Sequence, residues 1–266
     1  MTRDKNYIKI AGLDLRPMDF NREKDLNSFI EGIREVKGHD CTKLYIDNQR
    51  ELKVELLQSI GLNTGLQVFT GENTREKYLP IIIEKIFKLQ NDRLEGKEIL
   101  IVCEDKEKIK NLIKLLSRKY GLISIVGCRE EDREDIYQYA LEEIGLSLFF
   151  PLTIDEIIGN YSIIINYMDL EGETFSKKKR NCVVFDFGTG HNPKSERKPS
   201  YIRDLAFILE KTQIGKDNWI GKTINSSAYD ALSLGNYYGK ILLFTGKDYY
   251  SAKEYLNTYI KVKGSF

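Results

Sequence analysis

Cysteine, histidine and proline are scarce in this chain of 266 residues, which has four, two and five of them. Cys41, Cys103, Cys128 and Cys182 lie far apart, with no CxxC pair and no histidine cluster nearby. They therefore read as small buried hydrophobes rather than zinc ligands or a disulfide framework. His39 and His191 are too distant to form a ligand pair, so no metal is expected. Charge of one sign is also missing, since 41 Lys and Arg against 40 Asp and Glu leave a net +1. No global field then draws in nucleic acid or an anionic membrane. Nor is there an apolar run of the roughly 18 to 20 residues a membrane helix needs, and Met1 to Asn6 is polar, unlike a signal sequence. The expectation is a cytoplasmic protein with no nucleic acid and no membrane among its partners.

What is present is an alternation. From Ile99 to Phe187 the pattern predicts strand Ile99–Cys103, helix Lys106–Tyr120, strand Leu122–Val126, helix Arg133–Ile144 and strand Leu146–Phe150. A short helix Ile154–Ile158 and strands Ser162–Tyr167 and Cys182–Phe187 follow. The strand runs are rich in Val, Ile and Leu without alternating, as parallel strands covered on both faces are. In Lys106–Tyr120, Ile109, Leu112, Ile113, Leu115 and Leu116 form one stripe, leaving Lys106, Lys110, Lys114 and Arg118 as a solvated face. Right-handed crossovers then favour a Rossmann-like open sheet of order 3-2-1-4-5.

Before it lies a second α/β unit. Tyr7–Ala11, Lys43–Ile46 and Leu66–Phe69 read as strands, and Arg22–Val36, Glu51–Ile60 and Thr74–Leu89 as helices, with Gly61 and Gly71 as stop and turn. The boundary falls in polar Gln90–Arg93. The expected division is an N-terminal α/β domain, 1–92, and a Rossmann-like domain, 93–244, with an interdomain cleft and a C-terminal helical segment, 245–266, returning to the first domain. A strand Ile241–Phe244 and a helix Ser251–Tyr259 are expected near the end.

The first strand of the Rossmann-like unit lacks the glycine-rich turn that lets backbone N–H groups reach a pyrophosphate. Glu104-Asp105-Lys106 stands there instead, and two carboxylates repel phosphate. NAD or NADP is thus expected to bind weakly. Gly188 to Ser200 follows a strand's carboxyl end and carries Gly188, Gly190, Pro193 and Pro199, which reads either as a lid or as a solvated excursion.

Several short pieces resemble the bifunctional methylenetetrahydrofolate dehydrogenase/cyclohydrolase family. Lys53 precedes Gly61 at the separation of the family's catalytic lysine from its Gly-Ile pair. Leu89-Gln90-Asn91-Asp92 resembles its Leu-Asn-x-Asp, and Gly96-Lys97 the Gly-Lys opening its cofactor domain. Ile163-Ile164-Ile165-Asn166 resembles its strand entering the cofactor cleft, and Val183-Val184-Phe185-Asp186-Phe187-Gly188 its Val-Ile-Asp-x-Gly. The family's Gln-Leu-Pro-Leu-Pro segment and its glycine-rich loops have no counterpart here. Ile164-Ile165-Asn166, Val183-Val184-Phe185-Asp186 and Asn192-Pro193 also resemble shikimate-dehydrogenase-like proteins, whose catalytic signatures are lacking. Both resemblances imply two α/β domains with a cleft, and the first implies a catalytic Lys53.

Weighed singly, Lys53 is either a catalytic base or, among Arg50, Glu51 and Glu55, a solvated lysine. Asn166 and Asp186, at the carboxyl ends of apolar strands, either line the cofactor side together with Gly188 and Gly190 after them or simply cap a loop. Arg129 is either a ribose-phosphate ligand or part of an acidic helix start with Glu130, Glu131 and Asp132. Sixteen tyrosines, Tyr237-Tyr238 and Tyr249-Tyr250 among them, allow stacking, an interface or ordinary packing. Two functions follow. One is a divergent dehydrogenase-like protein holding a small-molecule ligand in the cleft, an NAD(P)-dependent oxidoreductase with a non-standard cofactor loop. The other is a non-catalytic scaffold that senses a metabolite or binds a protein partner, a homodimer included.

Overall fold

The structure, a computed structural model, describes residues 19–20, 22–46, 52–94, 96–154, 157–170, 175, 177–188, 200–209, 223–236 and 239–260. Tyr7–Ala11, Gly190, His191 and Tyr237-Tyr238 lie outside the described residues.

The first unit is small. Helix α1, Glu23–Val36, and helix α2, Val54–Thr64, flank a pair of two-residue parallel strands, β1 at Lys43–Leu44 and β2 at Gln67–Val68. Its own core joins Ile30, Ile33, Leu52, Leu57, Ile60 and Leu66. The expected stop at Gly61 is corrected: α2 runs through it and ends at Gly65, whose φ of 67° is open to a residue without a Cβ. Gly61 is wanted for closeness instead, since a Cβ there would lie 3.2 Å from the Leu66 carbonyl oxygen.

Helix α3, Glu72–Leu89, buries Tyr78, Leu79, Ile82, Ile83, Ile86 and Phe87 along one face. The spacing of three and four residues places them on a single stripe. That stripe belongs to one continuous core with the sheet that follows.

That sheet has five parallel strands: β3 Glu98–Val102, β4 Leu122–Val126, β5 Leu148–Phe149, β6 Ile163–Asn166 and β7 Val183–Asp186. They lie in the order β5-β4-β3-β6-β7, which is 3-2-1-4-5 when its strands are counted along the chain. Successive residues serve opposite faces. Ile99, Ile101, Ile163, Ile165, Val183 and Phe185 meet α3 and its neighbours, while Leu100, Val102, Ile164 and Val184 meet Ile158, Tyr161, Phe175 and Tyr201. Each such side chain fully buried contributes about 1.5 to 3 kcal/mol, so a charge at Ile101 would remove that and add desolvation.

Helix α4, Lys106–Leu116, and helix α5, Glu130–Tyr139, join the first three of these strands. The expected Lys106–Tyr120 helix is shorter, and Leu115 on its apolar stripe is exposed. Its lysine face is partly engaged: Lys106 and Lys110 reach Asp135 of α5 at 2.9 and 3.0 Å. α5 starts before the expected Arg133 and closes in a wider helical turn, Ala140–Ile144. Residues 155 and 156 of the expected Ile154–Ile158 helix lie outside the described residues; the Ile158 N–H donates to the Ile154 carbonyl at 3.0 Å, and a tight turn, Ile158–Asn160, follows.

The chain then builds a four-stranded antiparallel sheet. Its strands are β8 Asp204–Ile208, β9 Thr223–Asn225, β10 Ile241–Phe244 and β11 Tyr249–Tyr250, in the order β11-β10-β8-β9. Helix α6, Ser226–Leu232, and helix α7, Ala252–Tyr259, pack with it against α3. α7 begins with a reciprocal cap in which the Ser251 hydroxyl accepts from the Glu254 N–H and the Glu254 carboxylate accepts from the Ser251 N–H. Just before β8, Ile202 pairs in parallel with β7: the Asp186 N–H donates to its carbonyl at 2.8 Å and its own N–H to Val184 at 2.9 Å. Among the described residues no helix is long and apolar enough to cross a membrane, and no group of three His, Cys, Asp or Glu is placed to hold a metal.

Candidate site at the carboxyl edge of the parallel sheet

Strands β3 and β6 are neighbours in the sheet, yet the chain leaves β3 toward β4 on one side and enters β7 from β6 on the other. At such a reversal the segments after the two strands diverge and leave room at their carboxyl ends. Cys103 and Asp105 follow β3 here, Tyr167 and Met168 follow β6, and Phe187 and Gly188 follow β7. The first turn of α3 reaches the same edge through Glu72, Arg75 and Glu76.

Tyr167 is the centre of this group. Its N–H donates to the Val102 carbonyl at 2.8 Å, extending the pairing of β6 with β3. The Lys108 ammonium stands 4.8 Å from its ring centroid and the Phe187 ring 5.6 Å away, edge to face. Its hydroxyl oxygen is buried and has no hydrogen-bond partner. Burial first, and Glu76 second, hold that phenol well above its usual range. Lys108 in turn pairs with Glu72 of α3.

Glu76 is half-buried, and burial first and Glu72 second push its carboxyl up to about 7, against the opposing pull of Lys108 and Arg75. A carboxyl near neutrality can give or take a proton at working pH. Burial likewise pushes the Cys103 thiol up to about 11, so it stays protonated and is a poor nucleophile.

Beneath these groups runs a line of buried charge. Arg75 donates to the Thr70 carbonyl at 2.9 Å and to the Ser226 hydroxyl at 3.2 Å, lies 3.7 Å from Asp204, and stacks over Phe187 at 5.3 Å. Asp204 also accepts from Ser226 and from the Leu205 N–H. Arg203 lies 3.7 Å from Asp186. Buried pairs of this kind hold only when each charge keeps a partner, so α3, β7, β8 and α6 are tied at one place. Gly71, which caps α3 at φ 77°, allows it: a Cβ there would come within 2.1 Å of the Ser226 hydroxyl.

The residues expected from the sequence divide. Asn166, 1% exposed, donates to the Asp186 carboxylate at 2.8 Å and to the Met168 carbonyl at 2.8 Å, and accepts from the Met168 N–H at 3.0 Å. Gly188 seals the same loop, since a Cβ would lie 2.2 Å from the Met168 carbonyl oxygen. These three are brought together. Lys53 caps α2 on the first unit with its side chain exposed, and Arg129 caps α5, pairing with Glu131 at 3.2 Å and Asp132 at 3.1 Å. The sequence reading passed over Glu72, Arg75, Glu76, Lys108 and Tyr167. One signal was available: Glu72, Arg75 and Glu76, spaced three and four apart directly after Gly71, share one face of a helix whose next turns are apolar.

No family model matches the chain, and no curated protein matches it. Among solved structures it is similar to ligand-free aspartate transcarbamoylase from Trypanosoma cruzi, with 10% identity, a TM-score of 0.33, and 66% of this chain and 64% of that one covered. It is also similar to a dipicolinate synthase chain from Bacillus halodurans, with 11% identity, a TM-score of 0.36 and coverage of 62% and 57%. A third is L-tryptophan dehydrogenase from Nostoc punctiforme, with 14% identity, a TM-score of 0.38 and coverage of 67% and 52%. The chain thus spans less than two thirds of each of these structures.

Proposed function

We propose that this chain is a dehydrogenase-like protein that binds a small polar molecule at the carboxyl edge of its parallel sheet, between β3 and β6, and that the molecule is not a dinucleotide. The observation that carries this reading is the convergence of Tyr167, Lys108, Glu72 and Glu76 where the strand order reverses. Open α/β sheets take their ligands at that point, and a carboxyl near neutrality beside a buried hydroxyl suits proton exchange with a bound molecule.

Asp105 supports the exclusion of NAD and NADP. Its carboxylate accepts from the Lys108 N–H at 2.9 Å and so occupies the helix start that a pyrophosphate would need. The resemblance to the methylenetetrahydrofolate dehydrogenase/cyclohydrolase family supports the two-part α/β design, and Asn166, Asp186 and Gly188 support a rigid wall for the site.

A second reading is a non-catalytic metabolite sensor. It is favoured by the pairing of Lys108 with Glu72, which holds the cation above Tyr167 in a structural contact.

The test is a thermal-shift panel of NAD, NADP and small metabolites, namely organic acids, amino acids and sugar phosphates. A ligand at a hundred times its dissociation constant adds about 2.7 kcal/mol, a readily measured shift. Stabilisation by a small metabolite that is weakened in Lys108→Met is expected, and none from the dinucleotides below about 0.1 mM. Low-micromolar binding of NAD or NADP would overturn the reading. Binding without any turnover would move it to the sensor.

A further inference from the structure

We infer that the turn Lys177–Arg180 is a docking surface for a second copy of this chain, which it meets through the outer side of α5. The turn precedes β7 and so lies at the amino edge of the parallel sheet, opposite the proposed ligand site and independent of it. Four cations are consecutive here, Lys178 half-buried and Lys177, Lys179 and Arg180 exposed. Hydrogen bonds fix their backbone: the Lys178 N–H donates to the Phe175 carbonyl at 3.2 Å and the Cys182 N–H to the Lys179 carbonyl at 3.0 Å. The Lys179 ammonium donates to the Asn160 carbonyl, and Phe175 and Cys182, each 2% exposed, anchor the two ends. Many other cations of the chain are paired. Lys97, Lys106, Lys108, Lys110, Lys119 and Arg129 reach carboxylates, whereas among the described residues no ion pair involves Lys177, Lys178 or Arg180. Like charges this close repel one another, and an anionic partner relieves that.

The complement is on the same molecule. Glu130 and Glu134, four apart, share the exposed side of α5, and Glu142 and Glu143 continue that acidic surface in the wider turn that closes it. None of the four has an ion pair among the described residues. Within one chain the two surfaces cannot meet. α5 packs on one face of the parallel sheet through Ile136 and Ala140, while the basic turn is anchored in the core of the other face through Phe175 and Cys182. Copies therefore meet head to tail, the acidic side of one on the basic turn of the next. Such a contact joins unlike surfaces and does not close a two-fold pair, so it extends from molecule to molecule. Nucleic acid is the poorer partner: with the turn's four taken from 41 cations, 37 remain against 40 carboxylates, and the rest of the chain repels a phosphate backbone.

The test is sedimentation of the full chain over a range of concentrations at about 0.01 M salt, where charges act over about 30 Å, and at about 1 M, where they act over about 3 Å. The average mass is expected to keep rising with concentration at low salt and to stay at that of one chain at high salt. Lys177→Glu combined with Arg180→Glu should weaken the association at least about tenfold, the joint worth of several exposed ion pairs, and so should Glu134→Lys combined with Glu142→Lys. Mixed, the two double variants should pair and stop at two chains, since each keeps the surface that the other has lost. A structural defect in either variant would not be repaired by mixing. Association that persists at high salt, a parent mass that levels off at two chains, or a mixture no heavier than its parts overturns the inference. A parent that stays at one chain at low salt overturns it as well, and its retention by duplex DNA or anionic vesicles, lost in Lys177→Glu with Arg180→Glu, would then give the turn to a polyanion.

Discussion

Asn166 and Asp186 face each other across β6 and β7 with the amide donating to the carboxylate at 2.8 Å, in register with Val102 on β3. The pair closes the edge of the sheet by turning two polar strand ends toward each other.

Asn166→Ala should destabilise the chain by about 1 to 3 kcal/mol, because it takes a donor from buried Asp186 and an acceptor from the half-buried Met168 N–H at once. Asn166→Asp would set two carboxylates side by side, so its penalty should grow between pH 5 and pH 8. Urea denaturation at both pH values reads this out; equal penalties would show that the pair is solvated.

Gly188→Ala is expected to cost about 1 to 3 kcal/mol, since the added methyl meets a backbone carbonyl that cannot swing away. Gly121→Ala is the control. Nothing lies within 4 Å of a Cβ there, and its effect should stay within about 0.5 kcal/mol of zero. Similar denaturation midpoints for the two variants would contradict the packing described for the Met168 turn.

Stability itself should depend on Glu76. The folded form keeps the proton up to about pH 7, whereas a glutamate in the unfolded chain releases it near 4.5. Between these values the folded state binds more protons, so stability falls as pH rises through that window and levels off above it. Glu76→Gln should remove the fall and leave the variant about 1 kcal/mol more stable than the parent at pH 8, after allowing for the screening of a half-exposed group. A parent whose midpoint rises from pH 5 to pH 7 while the variant's is flat would count against it.

Asp105→Ala removes a helix cap and should lower stability by about 1 kcal/mol. The same change frees the start of α4 and takes away a carboxylate, so inorganic phosphate should bind the variant more tightly than the parent in calorimetry. Unchanged phosphate binding would mean that Asp105 is not what guards that turn.

The parallel sheet was legible because its strands are covered on both faces: Ile99 to Val102, Ile163 to Ile165 and Val183 to Phe185 read as unbroken apolar runs and are buried as such. Of the antiparallel sheet, β10 at Ile241–Phe244 was legible and β8 was not. Arg203, just before β8, and Asp204, its first residue, read as surface, and partners distant in sequence, Arg75, Asp186 and Ser226, make their burial tolerable. Gly61 and Gly65 are the same residue type four apart, and the choice between them lay in a tertiary contact with Leu66. Asn166, Asp186 and Gly188 were legible as a group because strand ends mark an edge. Glu72 and Glu76 were not, because two carboxylates one helical turn apart ordinarily face water, and only the approach of Tyr167 and Lys108 makes them otherwise.

Ile202 is hydrogen-bonded to β7, and the very next residue, Arg203, donates its N–H to Phe244 on β10 at 2.7 Å. One short stretch of backbone is thereby stitched into two sheets of opposite sense, like a splice between two ropes. Amides on either side of it, at Val184 and at Leu205, cannot open to solvent by separate local fluctuations without tearing that splice. They should exchange hydrogen for deuterium at a common slow rate, while α1 and α2, with a core of their own, are free to exchange on a faster clock.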